Sequence, residues 1–173
     1  LTSVNSAGTV AAWDARTRTK LREFSTEVQL SEHSTAFSRD GRYVSVRGAS
    51  GGTISLWEID TGERIKDLAQ PAGLIKAQAF SPDGSMLLAG GLDNSIELYE
   101  VAKAERRLSF PGLSRYAKKI AASPDGTTLL SASVDWFRAS NITINRWDAG
   151  HGLLKKQIAV PATFDIAFSP DLG

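Results

Sequence analysis

The sequence contains no cysteine, only two histidines and a single methionine. A chain without cysteine forms no disulfide, no thiolate metal site and no cysteine nucleophile, although this leaves its redox compartment open. No apolar run approaches the roughly 20 residues that a membrane-spanning helix needs, and no signal peptide is visible. These absences argue against a membrane protein and favour a soluble, cytoplasmic one.

The sequence also has no excess of charge of either sign. The 20 lysines and arginines nearly balance the 19 aspartates and glutamates, for a net charge of +1, which argues against a dedicated nucleic-acid binder. An apolar content of 42% and a charged content of 23% are globular values. The chain begins with Leu1 and its only methionine is Met86, so we interpret it as an internal piece of a longer product or as a processed chain.

Two short markers recur along the chain. The stretch Phe-Ser-Pro-Asp-Gly stands at residues 80–84, and variants of it stand at 37–41, 122–126 and 168–171. An aromatic residue followed by a carboxylate stands at residues 13–14, 57–58, 99–100 and 147–148. Both markers recur every 42 to 48 residues. Two unrelated markers that share one period indicate a repeat protein.

Short β-type runs lie between the markers and alternate with turns rich in Gly, Ser and Asp. One unit has runs at Leu74 to Phe80, Met86 to Ala89, Ser95 to Tyr99 and Glu105 to Phe110. No segment has a sustained helical apolar period, so the predicted class is all-β. In Ser-Pro-Asp-Gly, proline presets φ, aspartate can bond the backbone ahead of it, and glycine takes the φ > 0 position. The marker therefore predicts a tight hairpin turn.

The order of these features is similar to that of the WD-repeat β-propellers. Ser-Pro-Asp-Gly is followed by an apolar strand, a Gly/Asp turn and an apolar run that ends in Trp-Asp, most closely from Phe80 to Glu100. The resemblance covers essentially the whole chain. It implies blades of four antiparallel strands arranged radially around a channel, with about four blade equivalents here. It also implies a non-catalytic scaffold for protein–protein interaction, and the proline-containing turn is typical of bacterial members.

The sequence departs from the family at one position in every unit. Family members often carry a Gly-His dipeptide before the turn serine, and this chain has no such histidine; the equivalent pairs are Glu27-Val28, Gln70-Pro71, Gly112-Leu113 and Ala159-Val160. Only Asp93 stands where the family has its hairpin aspartate. We therefore expect packing and hairpin turns, not a buried His–Asp network, to stabilise the blades.

The repeat boundaries predict a single propeller segment over residues 1–173, with units at about 1–24 plus 163–173, 31–68, 74–110 and 116–158. The last run, Thr163 to Phe168, is the strand that the first unit lacks. Three arrangements stay open: a part of a larger propeller, a half-ring that pairs with a second copy, and a four-bladed ring that closes alone. An incomplete ring would expose blade faces and favour self-association.

The repeat is interrupted in its fourth unit, where the hairpin between Ser133 and Ile142 is longer than its counterparts. Trp and Arg are residue types that dominate interface hot spots. We therefore predict that this loop binds a protein or peptide partner through Asp135, Trp136, Phe137 and Arg138. The alternative is that Trp136 folds back to cover its own blade or the next one.

The repeated carboxylates are interpreted as structural, because a general acid–base pair needs two groups in one place and these occur once per unit. They are Asp40, Asp83, Asp125 and Asp171 in the turns, and Asp14, Glu58, Glu100 and Asp148 after the aromatic residues. His33 and His151 belong to different units, and no spacing resembles a zinc-ligand set. We predict no catalytic residue, no cofactor and no metal.

Two alternatives to the scaffold interpretation remain. One is an enzyme or ligand-binding propeller with a site in the central channel, where the polar candidates on the inner strands are Ser34, Thr35, Gln78, Lys119 and Asp165. The other is a regulatory or sensor segment of a larger multidomain protein. The basic residues that recur on the fourth strand of the units are interpreted as edge-strand charges, with a nucleic-acid-binding stripe as the alternative.

Overall fold

A computed structural model describes residues 1–48, 53–68, 75–113, 116–134, 141–161 and 166–169, without the side chains of residues 31–34. These residues form β-strands and turns and contain no helix, which confirms the all-β prediction. Accordingly, no helix capable of spanning a membrane occurs in the described ranges.

The strands form four antiparallel sheets, which we call blades 1 to 4, and each strand pairs with its neighbours in sequence. Blade 1 contains β1 (Thr2–Val4), β2 (Thr9–Trp13) and β3 (Lys20–Ser25). Blade 2 contains β4 (Leu30–Phe37), β5 (Tyr43–Gly48), β6 (Ile54–Glu58) and β7 (Arg64–Leu68). Blade 3 contains β8 (Ile75–Phe80), β9 (Met86–Gly91), β10 (Ser95–Glu100) and β11 (Glu105–Pro111). Blade 4 contains β12 (Tyr116–Ala122), β13 (Thr128–Val134), β14 (Asn141–Asp148) and β15 (Leu153–Pro161).

In the described ranges, blade 1 has three strands where the other blades have four. The run expected to complete the blade, Thr163 to Phe168, falls partly in residues 162–165, outside the described ranges, and residues 166–169 are not assigned to a strand. The completion of blade 1 by this run therefore stays a prediction.

The turn between the first and second strands is built in the same way in blades 2, 3 and 4. In blade 3 the Ser81 hydroxyl donates to Asp83 Oδ1 at 2.5 Å and accepts from the Met86 N–H at 3.0 Å. The Ser85 N–H donates to the same carboxylate at 3.1 Å, and Gly84 takes a φ of +72°. Because these bonds favour the charged form, the one from Ser81 most, the pKa of Asp83 is lowered.

The register shifts in every blade directly before the aromatic marker, near the end of the second-to-last strand. The shifts fall between Ala12 and Trp13, Leu56 and Trp57, Leu98 and Tyr99, and Arg146 and Trp147. A bulge of this kind inserts one extra residue in one strand and increases the local twist. In all four blades the extra residue lies on the outermost strand, so the bulge is a repeated part of the fold.

The core lies between the blades. Three clusters of buried apolar residues join blade 1 to blade 2, blade 2 to blade 3, and blade 3 to blade 4. The aromatic marker of one blade packs on the outer strand of the preceding blade: Trp57 stacks on Phe24 with ring centroids 5.6 Å apart, and Trp147 meets Phe110 edge-on at 5.9 Å. Packing between successive blades therefore supplies the apolar burial that one sheet cannot supply alone.

Candidate functional site

The four residues predicted to bind a partner lie outside the described part of the chain. Asp135, Trp136, Phe137 and Arg138 all fall within residues 135–140. Their role stays a prediction. The strands on either side of them are described, because β13 ends at Val134 and β14 begins at Asn141.

A groove of about 510 Å³ lies between blades 3 and 4, where the turns of both blades meet. The apolar residues that line it include Met86, Leu88, Leu98, Phe110 and Leu129; of these, all but Met86 are buried and rigidly placed on strands. The charged or titratable residues that line it are Asp83, Arg107, Asp125, Asp148 and His151. A concave apolar surface with a few polar groups around it is the usual form of a binding site.

The turn glycines of blades 3 and 4 differ in how close the preceding turn lies to them. At the interface of blades 2 and 3, a Cβ built on Gly84 would lie 3.5 Å from Asp40 Oδ2 of the preceding turn. A Cβ built on Gly126, at the same turn position of blade 4, would meet no described atom within 4 Å. The two interfaces therefore differ in how closely the preceding turn approaches this glycine.

Asp148 is the most strongly bonded carboxylate of the groove. Its Oδ1 accepts hydrogen bonds at 3.0 Å from the backbone N–H groups of Gly150 and His151 and lies 3.0 Å from His151 Nδ1. Lys155 Nζ lies 3.4 Å from Oδ2. These contacts, the His151 side-chain bond foremost, lower the pKa of Asp148 to about 2. Asp148 is therefore ionised at neutral pH and holds its own turn, as Asp14 does for Arg16 and Thr17.

The described carboxylates of the groove bond their own turns. Asp83 and Asp125 each bond a serine and a backbone N–H of their own turn, and Asp148 bonds its turn as described above. Within the described ranges, no three His, Asp or Glu side chains are placed to hold a metal ion together.

The polar candidates on the inner strands are only partly described. Thr35, Gln78 and Lys119 lie on β4, β8 and β12, and β8 contacts both of the other strands. The side chain of Ser34 and all of Asp165 fall outside the described residues. In the described part of the chain, both amide atoms of Gln78 are buried without a hydrogen-bond partner. The structure therefore brings the inner strands together but shows no shared polar site on them.

The basic residues of the outer strands have acidic neighbours. Arg106 lies 3.5 Å from Glu97, and Lys20 lies 2.6 Å from Glu23 of its own strand. Arg64 forms an ion pair with Asp67. These pairs reduce the positive charge along the edge of the blades.

Sequence reasoning missed the groove and the place of Arg107 and His151 in it. His151 is an exposed turn residue in the sequence pattern, and its only signal is its spacing of three residues from Asp148. Arg107 stands at the extra residue of the bulge in β11, and bulge positions are not visible in a period-2 pattern. The groove itself arises from the distance between two turns of different blades.

Comparisons with known proteins agree with this fold. The family model for the WD40 repeat (WD domain, G-beta repeat) matches residues 62–100, which run from the last strand of blade 2 through the third strand of blade 3. A solved structure of Kuenenia stuttgartiensis hydrazine synthase is similar to this chain, with a TM-score of 0.78 and 22% sequence identity. The match covers 95% of this chain and 47% of that one, so this chain spans about half the length of that protein.

No curated protein sequence matches the chain. At 22% identity the structural likeness concerns the fold alone. Together with the repeated turns, the four sheets and the bulge before each aromatic marker, the family match confirms the resemblance stated above. The described residues form four antiparallel sheets, consistent with propeller blades, and residues 62–100 match the WD40 repeat.

Proposed function

We propose that this chain is a non-catalytic protein-interaction platform that captures a peptide segment of a partner in the groove between blades 3 and 4. The open groove is the observation that carries this proposal. Its apolar floor combines the partly exposed residues Met86, Ala122 and Ala149 with side chains buried on strands, such as Leu98 and Phe110. A partner that binds such a preformed surface orders few new residues, and the entropic cost of binding is small.

The charges around the groove favour a basic partner. Asp83, Asp125 and Asp148 give three carboxylates, whose pKa values are all lowered by hydrogen bonds. Arg107 is the one arginine among the lining residues, and His151 carries a positive charge only when it is protonated. Complementary charge guides a partner into register. We expect a segment in which a Lys or Arg head group meets the carboxylates and an apolar side chain covers the floor.

The use of the carboxylates supports a non-catalytic role. A general base works best when its pKa lies near the operating pH. Hydrogen bonds from their own turns lower the pKa of Asp83, Asp125 and Asp148, which makes these carboxylates weak bases. The enzymatic name of the similar hydrazine synthase describes that protein, and the likeness to it extends to the fold.

A bulky residue introduced in a turn tests the proposal, because it fills the groove and leaves the strands unchanged. Thr127 lines the groove at the turn position that Arg42 occupies in blade 2, so this position accepts a large side chain. Thr127→Trp should abolish binding of basic peptides selected from a random peptide library by the unmodified chain. Arg42→Trp is the matched control and should bind them as before. Equal binding by Thr127→Trp and the unmodified chain would refute the groove as the site.

The loop around Trp136 is a second proposed contact, at the opposite end of β13 from the groove. Double replacement of Trp136 and Phe137 by Ala should weaken capture of the partner while the circular dichroism spectrum stays unchanged. Loss of folding would instead support the alternative, in which Trp136 covers a blade.

A further inference from the structure

The floor of the groove between blades 3 and 4 reaches from β9 to β11 in blade 3. Leu88 on β9, Leu98 on β10 and Phe110 on β11 all line it. Leu88 pairs with Leu98, and Leu98 pairs with Leu108 of β11. Neighbouring strands lie about 4.8 Å apart, so the floor extends about 10 Å across the sheet. The groove therefore has an inner end beside the turn before β9 and an outer end at β11.

The inner end of the groove is negatively charged. Asp83 lies in the turn between β8 and β9, and Asp125 lies in the turn between β12 and β13. Hydrogen bonds from the hydroxyls of Ser81 and Ser123, foremost among the contacts of each carboxyl, lower the pKa of Asp83 and that of Asp125. Both groups are therefore ionised at neutral pH. Neither takes part in an ion pair of the described residues.

The carboxylate near the outer end of the groove is already paired with cations. A Cβ built on Gly152 would lie 3.3 Å from the carbonyl oxygen of Ser109 on β11, so the turn between β14 and β15 lies beside the outer strand of blade 3. Asp148 belongs to this turn, and its carboxylate oxygens lie 3.4 Å from Lys155 Nζ and 3.0 Å from His151 Nδ1. These contacts leave little of the Asp148 charge for a ligand.

Arg107 is the cation of the outer end that is left for a ligand. It lines the groove, is exposed, and is the extra residue of the bulge in β11. The neighbouring Arg106 lies 3.5 Å from Glu97. Arg107 itself takes part in no ion pair within the described ranges. The groove thus carries negative charge at its inner end and an unpaired positive charge at its outer end.

We propose that the segment captured in the groove is dipolar, with a basic, an apolar and an acidic side chain at alternate positions of an extended chain. This inference rests on the proposed capture of a peptide there. The base meets Asp83 and Asp125, the apolar side chain covers Leu98, and the acid meets Arg107. An extended chain rises about 3.3 Å per residue and its alternate side chains share one side, so the base and the acid lie about 13 Å apart. This span covers the floor and leaves one charged group at each end.

The opposite charges of the two ends exclude other segments. A segment that is basic throughout places a cation beside Arg107, and one that is acidic throughout places carboxylates beside Asp83 and Asp125. Like charges brought together at an interface are repulsive and disfavour the wrong partner. The dipolar segment avoids both contacts, so the groove selects for the pattern of charge as well as for its sign.

Fluorescence anisotropy with three labelled synthetic peptides tests the inference. The first has Lys, Leu and Glu at alternate positions with Ser between them, and the others have Gln or Lys in place of the Glu. The unmodified chain should bind the Glu peptide about two- to fivefold more tightly than the Gln peptide, which is the effect of one exposed ion pair. It should bind the Lys peptide least tightly. Equal affinity for the Glu and Gln peptides would overturn the inference.

Charge variants locate the contact. Arg107→Gln should remove the preference for the Glu peptide, and Arg107→Glu should make the Lys peptide the tightest of the three. Arg39→Glu is the matched control, because Arg39 is exposed in the turn of blade 2 and is not among the residues that line the groove. It should keep the original order. A reversal of the order by Arg39→Glu as well would show an effect of net charge and refute a contact at Arg107.

Thr127→Trp separates this inference from the proposed function. If Thr127→Trp abolishes binding of all three peptides but the unmodified chain binds them equally, the groove captures peptides and the dipolar pattern is wrong. Library-selected peptides that bind in the groove when the Glu peptide does not would overturn the pattern in the same way. If Thr127→Trp binds the peptides as the unmodified chain does, the proposed function fails and this inference fails with it.

Discussion

Arg18 occupies in blade 1 the turn position that Gly62 occupies in blade 2. The N–H of each bonds the carbonyl of the residue four positions earlier, Asp14 at 2.8 Å and Glu58 at 2.9 Å. The φ of Arg18 is 60° and that of Gly62 is 72°. The turn thus requires the left-handed region in both blades, and only one of the two residues is suited to it.

Arg18→Gly should therefore stabilise the protein. A side chain in the left-handed region costs roughly 1–2 kcal/mol, part of which the greater chain entropy of glycine offsets. We expect the free energy of unfolding in urea to rise by about 0.5–1 kcal/mol. Ala15→Gly, in the same exposed turn but without a positive φ, is the control and should lower it. A loss of stability in both variants would contradict the strain argument.

Two buried serines should respond differently to the same substitution. The Trp147 indole N–H donates to Ser131 Oγ at 3.0 Å, and both residues are buried. Ser131→Ala leaves this N–H without its acceptor and should cost about 1–3 kcal/mol. Ser45 Oγ, on the second strand of blade 2, is buried without a partner among the described residues, so Ser45→Ala should be neutral or stabilising. The urea midpoints of the two variants test this expectation. Equal losses of stability in both variants would contradict it.

The buried amide of Gln78 should be a cost to stability. Neither its Nε2 nor its Oε1 has a hydrogen-bond partner in the part of the chain that the structure describes. Gln78→Met keeps the length of the side chain and removes both polar atoms, and we expect a gain of about 1 kcal/mol. Gln157→Met is the matched control, because Gln157 Nε2 donates to the buried Asn145 Oδ1 at 2.8 Å. The control should be less stable than the unmodified chain when both are melted thermally. A loss in Gln78→Met would instead indicate a bound polar ligand at β8.

The Asp148 carboxyl should titrate near pH 2. Its folded pKa of about 2 lies below the value of 3.8 expected without its partners. A depressed folded pKa contributes stability that is present above about pH 4 and is lost as the pH falls toward 2. Carboxyl NMR titration should show His151→Ala moving the pKa of Asp148 upward, because His151 is its strongest partner. Lys155→Ala should raise the pKa of Asp148 less than His151→Ala does. A larger rise with Lys155→Ala would contradict the assignment of His151 as the strongest partner.

The positions of the strands follow from the sequence because pairing within a blade is local. The run predicted at Ser95 to Tyr99 is one residue shorter than β10, and the run predicted at Glu105 to Phe110 is one residue shorter than β11. Alternating apolar residues set the face of each strand, and the serine, aspartate and glycine of each turn set the hairpin. These signals lie within a few residues of the structure they determine.

The groove could not be predicted in this way. A Cβ built on Gly84 would lie 3.5 Å from Asp40 Oδ2, whereas a Cβ built on Gly126 would meet no described atom within 4 Å. The turns of blades 3 and 4 nevertheless share the sequence Ser-Pro-Asp-Gly. The separation of two blades depends on how residues distant in sequence fill the space between them. The predicted partner-binding loop at residues 135–140 was visible as an interruption of the repeat, and its role stays a prediction.

The order of strand pairing also determines how the protein unfolds. Every hydrogen-bonded strand pair of the described residues joins neighbours in sequence. Each blade therefore needs only short loops to close and is able to form early. Each blade couples only to the blades beside it. Among the described residues, apolar clusters cover both faces of blades 2 and 3 and one face of blades 1 and 4. Amide exchange should therefore spread inward from the two end blades, and β9 and β10 should be the last to lose protection.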